Sequence, residues 1–438
     1  MTARITVIGT GYLGLTHAAC MAELGYEVLG VDIDAAKTAR LQRGEVSLYE
    51  PGLTELVARH TAEGRLRFTT SHAEAAAFGD VHFLCVGTPQ QPDSDAADLR
   101  YLDAAVDALA PRLTRPALVV GKSTVPVGTA ERVAARLAGL APAGAGVELA
   151  WNPEFLREGR AVEDTLKPDR LVIGTRSTTA LDALTAVYAP LIDAGIPLVS
   201  TDFATAELVK TAANAFLATK VSFINAMAEI CEAAGANVVD LARALGYDAR
   251  IGSRYLQPGL GFGGGCLPKD IRAFRARAES LGNKRTLAFL REVDAINMRR
   301  RHRLIDLAAE QCGGLRGRRV AVFGAAFKPE SDDVRDSPAL YAATVIQARG
   351  AAVTVYDPKA NRNARAASPA LRFASSAVAA ATGAEIVLHL TEWREFQEID
   401  PADLRRVVAS PHIIDGRNTL DPAKWTAAGW DYRALGRR

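Results

Sequence analysis

A cysteine at the end of a glycine-rich run is the residue in this sequence that is best placed to act as a nucleophile. Residues 259–270 read GLGFGGGCLPKD, with five glycines before Cys266 and Pro268 two residues after it. Because proline is favoured in the first turn of a helix, this pattern predicts that Cys266 lies at a helix N-terminus. The helix N-terminus and the neighbouring Lys269 would both favour the thiolate. We therefore expect Cys266 to react covalently with a substrate.

The surroundings of this cysteine add two expectations. Five glycines leave the loop backbone without side chains, so we expect it to press against a ligand. Asp270 follows Cys266 by one helical turn and could act on a water molecule or on the thiol. The other cysteines form no CxxC or Cys/His pattern, so neither a disulfide framework nor a metal site is indicated. Buried, unreactive thiols are expected for the remaining four, which are Cys20, Cys85, Cys231 and Cys312.

Two further groups of polar residues could assist at a reacting carbon. Lys210 and Asn214 share one face of a predicted helix. In a cleft their ammonium and amide groups would hold an oxyanion, whereas at a surface they would be solvated. Glu154, in the strand-ending segment WNPEFLREG, is either a general acid/base or a carboxylate at a helix start. The residues alone leave both pairs of alternatives open.

The N-terminus carries a dinucleotide-binding pattern. Gly9-Thr-Gly-Tyr-Leu-Gly14 directly follows a strand-like run and opens a predicted helix. Such glycines allow a tight turn and let backbone N–H groups approach a pyrophosphate. Asp32 ends the next strand about 20 residues later, where a carboxylate accepts from the ribose and repels a 2′-phosphate. The pattern predicts NAD rather than NADP, and the turns 86–89 and 123–126 end later strands of the same predicted sheet.

The elements around these motifs alternate between β-branched strands and Ala/Leu-rich helices. This alternation predicts an α/β fold with two Rossmann-like doubly wound domains. The candidate strands are Ile5–Ile8, Glu27–Val31, Val81–Val86, Ala117–Val120, Val147–Trp151 and Leu171–Ile173, then Arg319–Phe323, Ala352–Tyr356, Ala384–Leu390 and His412–Asp415.

A long helix is predicted between the two alternating regions. Residues 203–234 contain no glycine or proline and have apolar side chains at helical spacing, which indicates one helix of about 45 Å. We expect this helix to join two domains and to form a homodimer face. A second boundary is predicted at the glycine-rich segment 312–317. The expected domains are 1–200 (NAD-binding), 201–312 (central, helical, with the cysteine loop) and 313–438 (a second, smaller α/β domain).

The composition is that of an ordinary soluble globular protein. The 438 residues are 49% hydrophobic and 23% charged, with a net charge of +2, which disfavours binding to nucleic acid or membranes through bulk charge. The basic cluster 299–303 is expected to be a solvated helix face. Neither a signal segment nor an apolar stretch of membrane-spanning length is evident, so the expected location is the cytoplasm.

The order of motifs along the chain resembles the UDP-glucose/GDP-mannose dehydrogenase family. The motifs are GTGYLG, KSTVPVGT, NPEFLREG, ELVKTAANAF, GFGGGCLPKD, FKPESDDVRDSP and DGRN, and they span nearly the whole sequence. The resemblance implies a four-electron, NAD-dependent oxidation of a sugar CH₂OH group. In that chemistry Cys266 would carry a thiohemiacetal and then a thioester.

The resemblance also implies the site residues. Around the reacting carbon it places Cys266, Thr124, Glu154, Lys210, Asn214 and Asp270. As the NAD set it gives Gly9, Gly11, Tyr12, Leu13, Gly14, Asp32, Lys37, Gly87, Thr88, Pro89, Thr124, Glu158 and Arg335. As nucleotide-sugar contacts it gives Glu154, Phe155, Leu156, Lys210, Asn214, Arg250 (from a partner subunit), Tyr255, Leu256, Gln257, Gly259, Gly261, Phe327, Lys328 and Arg417.

The sugar nucleotide is the least determined part of this expectation. UDP-glucose is the expected substrate, with GDP-mannose or another nucleotide sugar as the alternative. The loop Tyr255-Leu-Gln-Pro-Gly259 departs from the sequence usual in UDP-glucose enzymes, which weakens the choice of sugar and not the chemistry. A two-electron hydroxyacid dehydrogenase and a non-catalytic NAD sensor are more distant alternatives, and neither has a use for the loop cysteine.

Overall fold

An eight-stranded sheet organises the first of two units in the computed structural model, which describes residues 3–437. This unit runs to Ala213 and also takes in Arg272–Gly282. Its strand order is β3-β2-β1-β4-β5-β6-β7-β8, and all neighbours are parallel except β6 and β7. The strands are β1 (Ile5–Ile8), β2 (Val28–Val31), β3 (Leu66–Thr69), β4 (Val81–Leu84), β5 (Ala117–Gly121), β6 (Val147–Trp151), β7 (Leu171–Thr175) and β8 (Leu198–Thr201).

Helices cover both faces of this sheet. Strands β1, β2 and β4 are buried along their whole length, which explains their mostly apolar sequences. The two polar side chains among them, Thr6 and His82, bond to each other at 2.7 Å. Two short 3₁₀ turns occupy Ala110–Arg112 and Gly144–Gly146. The helices are α1 (Tyr12–Glu23), α2 (Ala35–Gln42), α3 (Leu53–Ala62), α4 (His72–Phe78), α5 (Arg100–Leu109), α6 (Thr129–Leu140), α7 (Ala161–Leu166), α8 (Thr178–Val187) and α9 (Ala189–Asp193).

Two helices continue from one unit into the other. Helix α10 spans Phe203–Ala234, as predicted, and the second unit begins at Asn214 within it. After α11 (Val238–Gly246), helix α12 (Leu267–Ser280) begins in the second unit and ends in the first. Among residues 3–437, no helix combines the length and apolar character needed to cross a bilayer.

The second unit comprises Asn214–Ile271 and the chain from Asn283 onward. Its six-stranded sheet is entirely parallel, in the order β11-β10-β9-β12-β13-β14. The strands are β9 (Arg319–Phe323), β10 (Ala352–Tyr356), β11 (Arg372–Phe373), β12 (Ile386–His389), β13 (His412–Asp415) and β14 (Asp431–Ala434). The helices are α13 (Phe289–Cys312), α14 (Pro338–Ala348), α15 (Asn361–Ala367), α16 (Ala377–Ala381), α17 (Arg394–Gln397), α18 (Pro401–Arg405) and α19 (Pro422–Ala427).

Both sheets have the strand order 3-2-1-4-5-6 in their first six strands, so the predicted pair of Rossmann-like folds is confirmed. Four strands, β3, β8, β11 and β14, were not predicted, and each lies at a sheet edge. The predicted division into three domains stays a prediction.

The expectation for the basic cluster 299–303 is wrong for two of its members. Arg300 and Arg301 on α13 are 0% and 1% exposed. Arg300 donates to Glu232 Oε1 at 2.7 Å, and Arg301 donates to Asp336 Oδ1 at 2.8 Å. The helix therefore turns two arginines into its packed face, where carboxylates of the same unit compensate their charge.

Candidate active site

The turn between β1 and α1 has the shape that a dinucleotide pyrophosphate requires. Gly9 has a φ of +91°, and a Cβ there would lie 2.9 Å from the Cys85 carbonyl oxygen. A Cβ at Gly14 would lie 1.8 Å from the Gly9 carbonyl oxygen. Gly11 has open space around its Cβ position and caps α1 without a side chain. The first N–H groups of α1 are therefore accessible to an anion, as the sequence pattern predicts.

Asp32 follows β2 directly and points its carboxylate at this turn. Its Oδ2 accepts from the Thr10 N–H and hydroxyl, both at 2.9 Å, and the Lys37 ammonium forms an ion pair with the same oxygen. Burial alone would raise the pKa of Asp32, but the Lys37 ammonium and the neighbouring donors outweigh it and hold that pKa below its usual value. A charged Asp32 with 10% of its side chain exposed fits a ribose hydroxyl.

Sequence reasoning missed Glu50, which lies buried beneath the same turn. The Tyr12 hydroxyl donates to Glu50 and accepts from the Gly159 N–H at 3.0 Å. Glu50 also accepts from the N–H groups of Gly159 and Ala161, each at 2.6 Å. This carboxylate joins the dinucleotide turn to the NPEFLREG loop, in which Glu158 precedes Gly159. The segment Tyr49-Glu-Pro-Gly52 reads as an ordinary turn, so the sequence held no signal for this role.

The two predicted strand-end turns lie together at the carboxyl ends of β4 and β5. The Thr88 hydroxyl donates to the Thr124 carbonyl oxygen at 2.7 Å. The Ser123 hydroxyl donates to the Val86 carbonyl oxygen, also at 2.7 Å. These bonds fix the segment 87–89 beside Thr124 at the edge of a parallel sheet where ligands bind.

Lys122 is a second residue that sequence reasoning missed. It is buried, and its ammonium donates to Asn152 Oδ1 at 2.9 Å, while Tyr188 donates to the same oxygen at 2.7 Å. Asn152 in turn donates to the Val172 carbonyl oxygen at 2.8 Å. Burial lowers the pKa of Lys122 to about 8, because no carboxylate bonds to it directly. These three hydrogen bonds fix the side chain of Asn152, the first residue of the NPE turn.

Glu154 and Lys210 form a buried ion pair within the first unit. Glu154 Oε1 lies 3.2 Å from the Lys210 ammonium, and its Oε2 accepts from the Leu156 N–H at 2.6 Å. The Phe155 ring lies 3.8 Å from the Arg170 guanidinium and 5.5 Å from the Lys210 ammonium. Lys210 is therefore a buried donor and not a surface lysine, which decides one of the alternatives that the sequence left open.

In the second unit Asn214 bonds to Asp270. The Asn214 amide donates to Asp270 Oδ2 at 2.7 Å, and the Lys269 ammonium lies 2.5 Å from Asp270 Oδ1. Asp270 lies one turn after Cys266, since its N–H donates to the Cys266 carbonyl oxygen at 3.0 Å. Helix α12 begins at Leu267, so Cys266 stands at its N-terminus as predicted. Along α10, Asn214 follows Lys210 by one turn, which links the two pairs through one helix.

The glycines before Cys266 pack against other segments of the second unit. A Cβ on any of the five would lie 2.1 to 2.8 Å from a neighbouring atom. Glycine is required at the first four positions, whereas at Gly265 the neighbour is the end of the flexible Arg335 side chain, which could move aside. The contacts pair Gly259 with Gly416, Gly261 with Asn297, Gly263 with Asp336, Gly264 with Phe327, and Gly265 with Arg335.

Arg417 ties three segments of this unit together. Its guanidinium donates to the carbonyl oxygens of Leu390 at 2.7 Å, Phe327 at 3.0 Å and Gly261 at 3.1 Å. The Lys328 ammonium lies 5.6 Å from the Phe327 ring. The structure thus brings Phe327 and Arg417 to the cysteine loop, and the predicted contacts of Phe327, Lys328 and Arg417 with a nucleotide sugar stay a prediction.

The loop that follows α11, residues 247–257, is more exposed than the cysteine loop. The Arg250 side chain is exposed and bonds to Asp248 within its own loop. Tyr255 has a φ of +64°, which is uncommon for a side-chain-bearing residue, whereas Leu256 is buried and Gln257 is exposed. The bonds of Arg250 lie inside this loop, so its predicted role across a subunit interface stays a prediction.

The environments of the cysteines match the predicted contrast at Cys266, Cys20, Cys85 and Cys231, but the expectation of a buried thiol is wrong for Cys312. Cys266 is exposed, whereas Cys20, Cys85 and Cys231 are buried and Cys312 is half-buried. Burial raises the pKa of Cys20 and of Cys85 to about 12, which makes them poor nucleophiles. Within residues 3–437, no group of three or more His, Cys, Asp or Glu side chains could hold a metal ion.

Models of one protein family match successive parts of the chain. The UDP-glucose/GDP-mannose dehydrogenase family matches with its NAD binding domain over residues 3–192, its central domain over 204–299 and its UDP binding domain over 321–422. The chain belongs to this family. It is therefore an NAD-dependent dehydrogenase, and the cofactor that the glycine turn predicts is confirmed.

Individual relatives cover the chain end to end. A UDP-glucose 6-dehydrogenase from Rhizobium meliloti (strain 1021) is 42% identical over 437 residues, which is 99% of each chain. The solved structure of a UDP-glucose dehydrogenase from Pyrobaculum islandicum has a TM-score of 0.92 and 39% identity, covering 100% of this chain and 98% of that one. A GDP-mannose dehydrogenase from Pseudomonas aeruginosa has a TM-score of 0.55 and 26% identity, covering 98% and 99%.

Proposed function

We propose that this enzyme oxidises UDP-glucose to UDP-glucuronate, with NAD as the acceptor of four electrons. Similarity to a UDP-glucose 6-dehydrogenase along the whole chain supports this substrate. The lower TM-score and identity of the GDP-mannose dehydrogenase make that sugar nucleotide the weaker alternative.

The NAD set of the first unit fits the cofactor. The open Gly11 position and the uncapped start of α1 suit the pyrophosphate, and Asp32 suits the ribose. Lys37, the 87–89 turn, Thr124 and Glu158 complete the proposed set in the first unit, and the resemblance adds Arg335 of the second unit. When bound, NAD supplies the acceptor for one hydride in each of the two oxidations.

Cys266 carries the sugar between the two oxidations. The primary alcohol first gives up a hydride, and its proton passes to the deprotonated amine of Lys210, which thereby becomes the ammonium, or to a water held by Asp270. The Cys266 thiolate then adds to the aldehyde carbon, forming a C–S bond and a thiohemiacetal. Loss of a second hydride leaves a thioester, which water hydrolyses to the carboxylate with Glu154 or Asp270 as base. One water is consumed, and the thiolate is regenerated.

The side chains of α10 stabilise the charge that develops on oxygen. Lys210 offers an ammonium and Asn214 an amide N–H one helical turn away. Each donor of this kind lowers a barrier by about 3–4 kcal/mol when it is fixed in a dry site. The burial of both residues provides that condition.

One observation carries the proposal. Asn214 bonds to Asp270 at 2.7 Å, and Asp270 lies one turn after an exposed cysteine at a helix N-terminus. A purely structural polar pair would have no need of an exposed thiol beside it. The combination of amide, carboxylate and thiol suits acyl chemistry on sulfur.

The resemblance to the family supplies the proposed contacts of the nucleotide sugar. The proposed contacts are Glu154 to Leu156, Lys210, Asn214, Tyr255 to Gln257, Gly259, Gly261, Phe327, Lys328, Arg417 and, from a partner subunit, Arg250.

A homodimer through α10 completes the proposal. Phe216, Phe223 and Ile230 recur every seven residues and are 66%, 49% and 61% exposed. This spacing places them on one face of the helix, where a second copy would cover them. Phe223→Glu should shift the protein towards monomers in sedimentation velocity, and an unchanged dimer would reject this face.

The test of the chemistry uses UDP-glucose, GDP-mannose and UDP-N-acetylmannosamine with NAD. We expect two NADH per UDP-glucose, measured by absorbance and by mass spectrometry of the uronate. One NADH per sugar would indicate a two-electron dehydrogenase. Cys266→Ala should abolish uronate formation while NAD still binds, and Cys312→Ala is the matched control that should retain turnover. Wild-type uronate release by Cys266→Ala would reject the nucleophile.

A further inference from the structure

The main chain of Phe262, four residues before Cys266, is gripped from helix α13. Asn297 Oδ1 accepts from the Phe262 N–H at 2.8 Å, and Asn297 Nδ2 donates to the Phe262 carbonyl oxygen at 2.9 Å. Arg301, one turn along α13, donates to the same carbonyl oxygen at 2.9 Å. We call this arrangement of Asn297 and Arg301 on the Phe262 backbone the Phe262 clamp.

The clamp leaves the loop little room to shift. Asn297 and Arg301 are both about 99% buried, and a Cβ on Gly261 would lie 2.1 Å from Asn297 Oδ1. The two hydrogen bonds of the Asn297 amide hold the two peptide units on either side of the Phe262 Cα, one through its N–H and the other through its C=O. Arg301 is itself held by Asp336 at 2.8 Å.

Between the clamp and the cysteine the chain is fixed once more. The Gly264 N–H donates to the Arg335 carbonyl oxygen at 2.9 Å, and α12 begins directly after Cys266. A displacement of Phe262 must therefore pass through a short, packed glycine segment to the thiol. Nucleophile geometry is sensitive to such shifts, since a misplacement of about 1 Å costs roughly 100-fold in rate.

We propose that Asn297 is a positioning residue for the Cys266 thiol, with Arg301 as its support. This inference rests on the proposed function, because it assigns the loop the task of presenting a nucleophile. Asn297 acts through the backbone and touches neither substrate nor cofactor.

The same helix provides a matched control. Gln311 on α13 is also a buried amide that holds a main-chain oxygen, that of Asp431 at 2.7 Å. Its bond reaches strand β14 and not the cysteine loop. Gln311→Leu therefore removes a comparable interaction without touching the Phe262 clamp.

The experiment compares Asn297→Leu and Gln311→Leu with the wild type in two assays. Steady-state kinetics with UDP-glucose and NAD should give a roughly 100-fold lower kcat for Asn297→Leu, with KM within about threefold of the wild type. Alkylation of Cys266 by iodoacetamide, followed by peptide mass spectrometry, should change at least fivefold in rate. Gln311→Leu should match the wild type in both assays.

The two assays separate this inference from the proposed function. An Asn297→Leu protein with wild-type kcat, or with the same alkylation rate as Gln311→Leu, would overturn the positioning role. If the wild type oxidises none of the three sugar nucleotides, the proposed function fails, while the alkylation rates still decide the role of Asn297. Should Asn297→Leu not fold, Asn297→Asp retains the acceptor for the Phe262 N–H and should lower kcat by a smaller factor.

Discussion

The two sheets share a strand order but use the same acidic position in opposite ways. Asp32 follows β2 and Asp357 follows β10, the second strand of each sheet. Asp32 keeps 10% of its side chain exposed, with Thr10 and Lys37 as its partners. Asp357 is 1% exposed and accepts from the N–H groups of Ala325, Ala326, Lys359 and Ala360 and from the Trp393 ring.

The difference shows that one fold can offer a nucleotide two kinds of surface. In the first unit, Gly9 to Gly11 lead straight from β1 into a helix whose N-terminus is open. In the second unit, residues 324–337 separate β9 from α14. The Asp357 carboxylate occupies the first N–H groups of that segment, those of Ala325 and Ala326. The second sheet therefore has no open carboxylate for a ribose at this position, although its strand order is the same.

The largest expected effect is that of Asp357→Ala on stability. The substitution leaves several buried donors without an acceptor, which should lower the free energy of unfolding by about 3–5 kcal/mol. Urea unfolding followed by circular dichroism measures it. Asp32→Ala is the matched control, expected to cost about 1 kcal/mol or less. Equal losses at the two positions would contradict the comparison.

The next effect is that of Asp32→Ala on cofactor binding. Loss of a charged acceptor should weaken NAD binding by about 1.5–3 kcal/mol, or roughly 10- to 150-fold in Kd. The preference for NAD over NADP should fall as well, because the repelling charge is gone. Fluorescence titration with both dinucleotides measures the two constants. An unchanged Kd for NAD would show that Asp32 does not contact the ribose.

A smaller effect on stability is expected from the buried charged residues at the carboxyl ends of β5 and β13, the fifth strand of each sheet. Asp415, in the second unit, accepts from the Leu420 N–H, the Arg417 N–H and the Tyr432 hydroxyl. Lys122, in the first, has only the neutral oxygens of Asn152 and Tyr188 as direct partners, and its pKa is lowered to about 8.

The lowered pKa of Lys122 predicts a pH dependence of stability. Between pH 8 and its ordinary pKa of 10.5, the unfolded chain retains a proton that the folded chain has released. Folding is therefore favoured increasingly as pH rises through this window, by up to about 1.4 kcal/mol per pH unit. The difference in unfolding free energy between wild type and Lys122→Met should rise from pH 8 to pH 10. A constant difference would contradict the lowered pKa.

The smallest effect is expected at Lys37. Its ion pair with Asp32 is partly exposed, with 26% of the lysine side chain accessible. Lys37→Ala should therefore change the free energy of unfolding by less than about 1 kcal/mol. Urea unfolding at low and high salt measures it. A loss of stability comparable to that of Asp357→Ala would show that the surroundings of Asp32 are as closely packed and hydrogen-bonded as those of Asp357.

The sequence predicts the inner strands of both sheets and misses every edge strand. Strands β1, β2 and β4 are buried and mostly apolar on both faces because helices cover them on both sides. Strands β8 and β14 are half-exposed and carry mixed polar residues. Edge strands bury less surface, so their sequences lack the continuous apolar run on which the prediction depends.

Side-chain partnerships between distant segments are the other part that sequence could not supply. Cys266, Lys210 and Asp270 stand in motifs whose spacing already indicates chemistry. Glu50 and Lys122 gain their roles from main-chain and side-chain groups more than 25 residues away in the chain. The buried arginines of α13 likewise depend on partners that helical periodicity does not reveal.

The packing of the five glycines before Cys266 has a consequence for protein engineering. Each of these glycines packs closely against a different neighbouring segment. A loop grafted from a relative would therefore have a backbone that is adapted to different neighbours. A library aimed at new sugars would need Asn297, Phe327 and Arg335 diversified together with the graft, because their side chains lie against the glycines. The segment that must be exchanged as a unit is therefore larger than the GFGGGCLPKD motif, because it includes the residues packed against the loop.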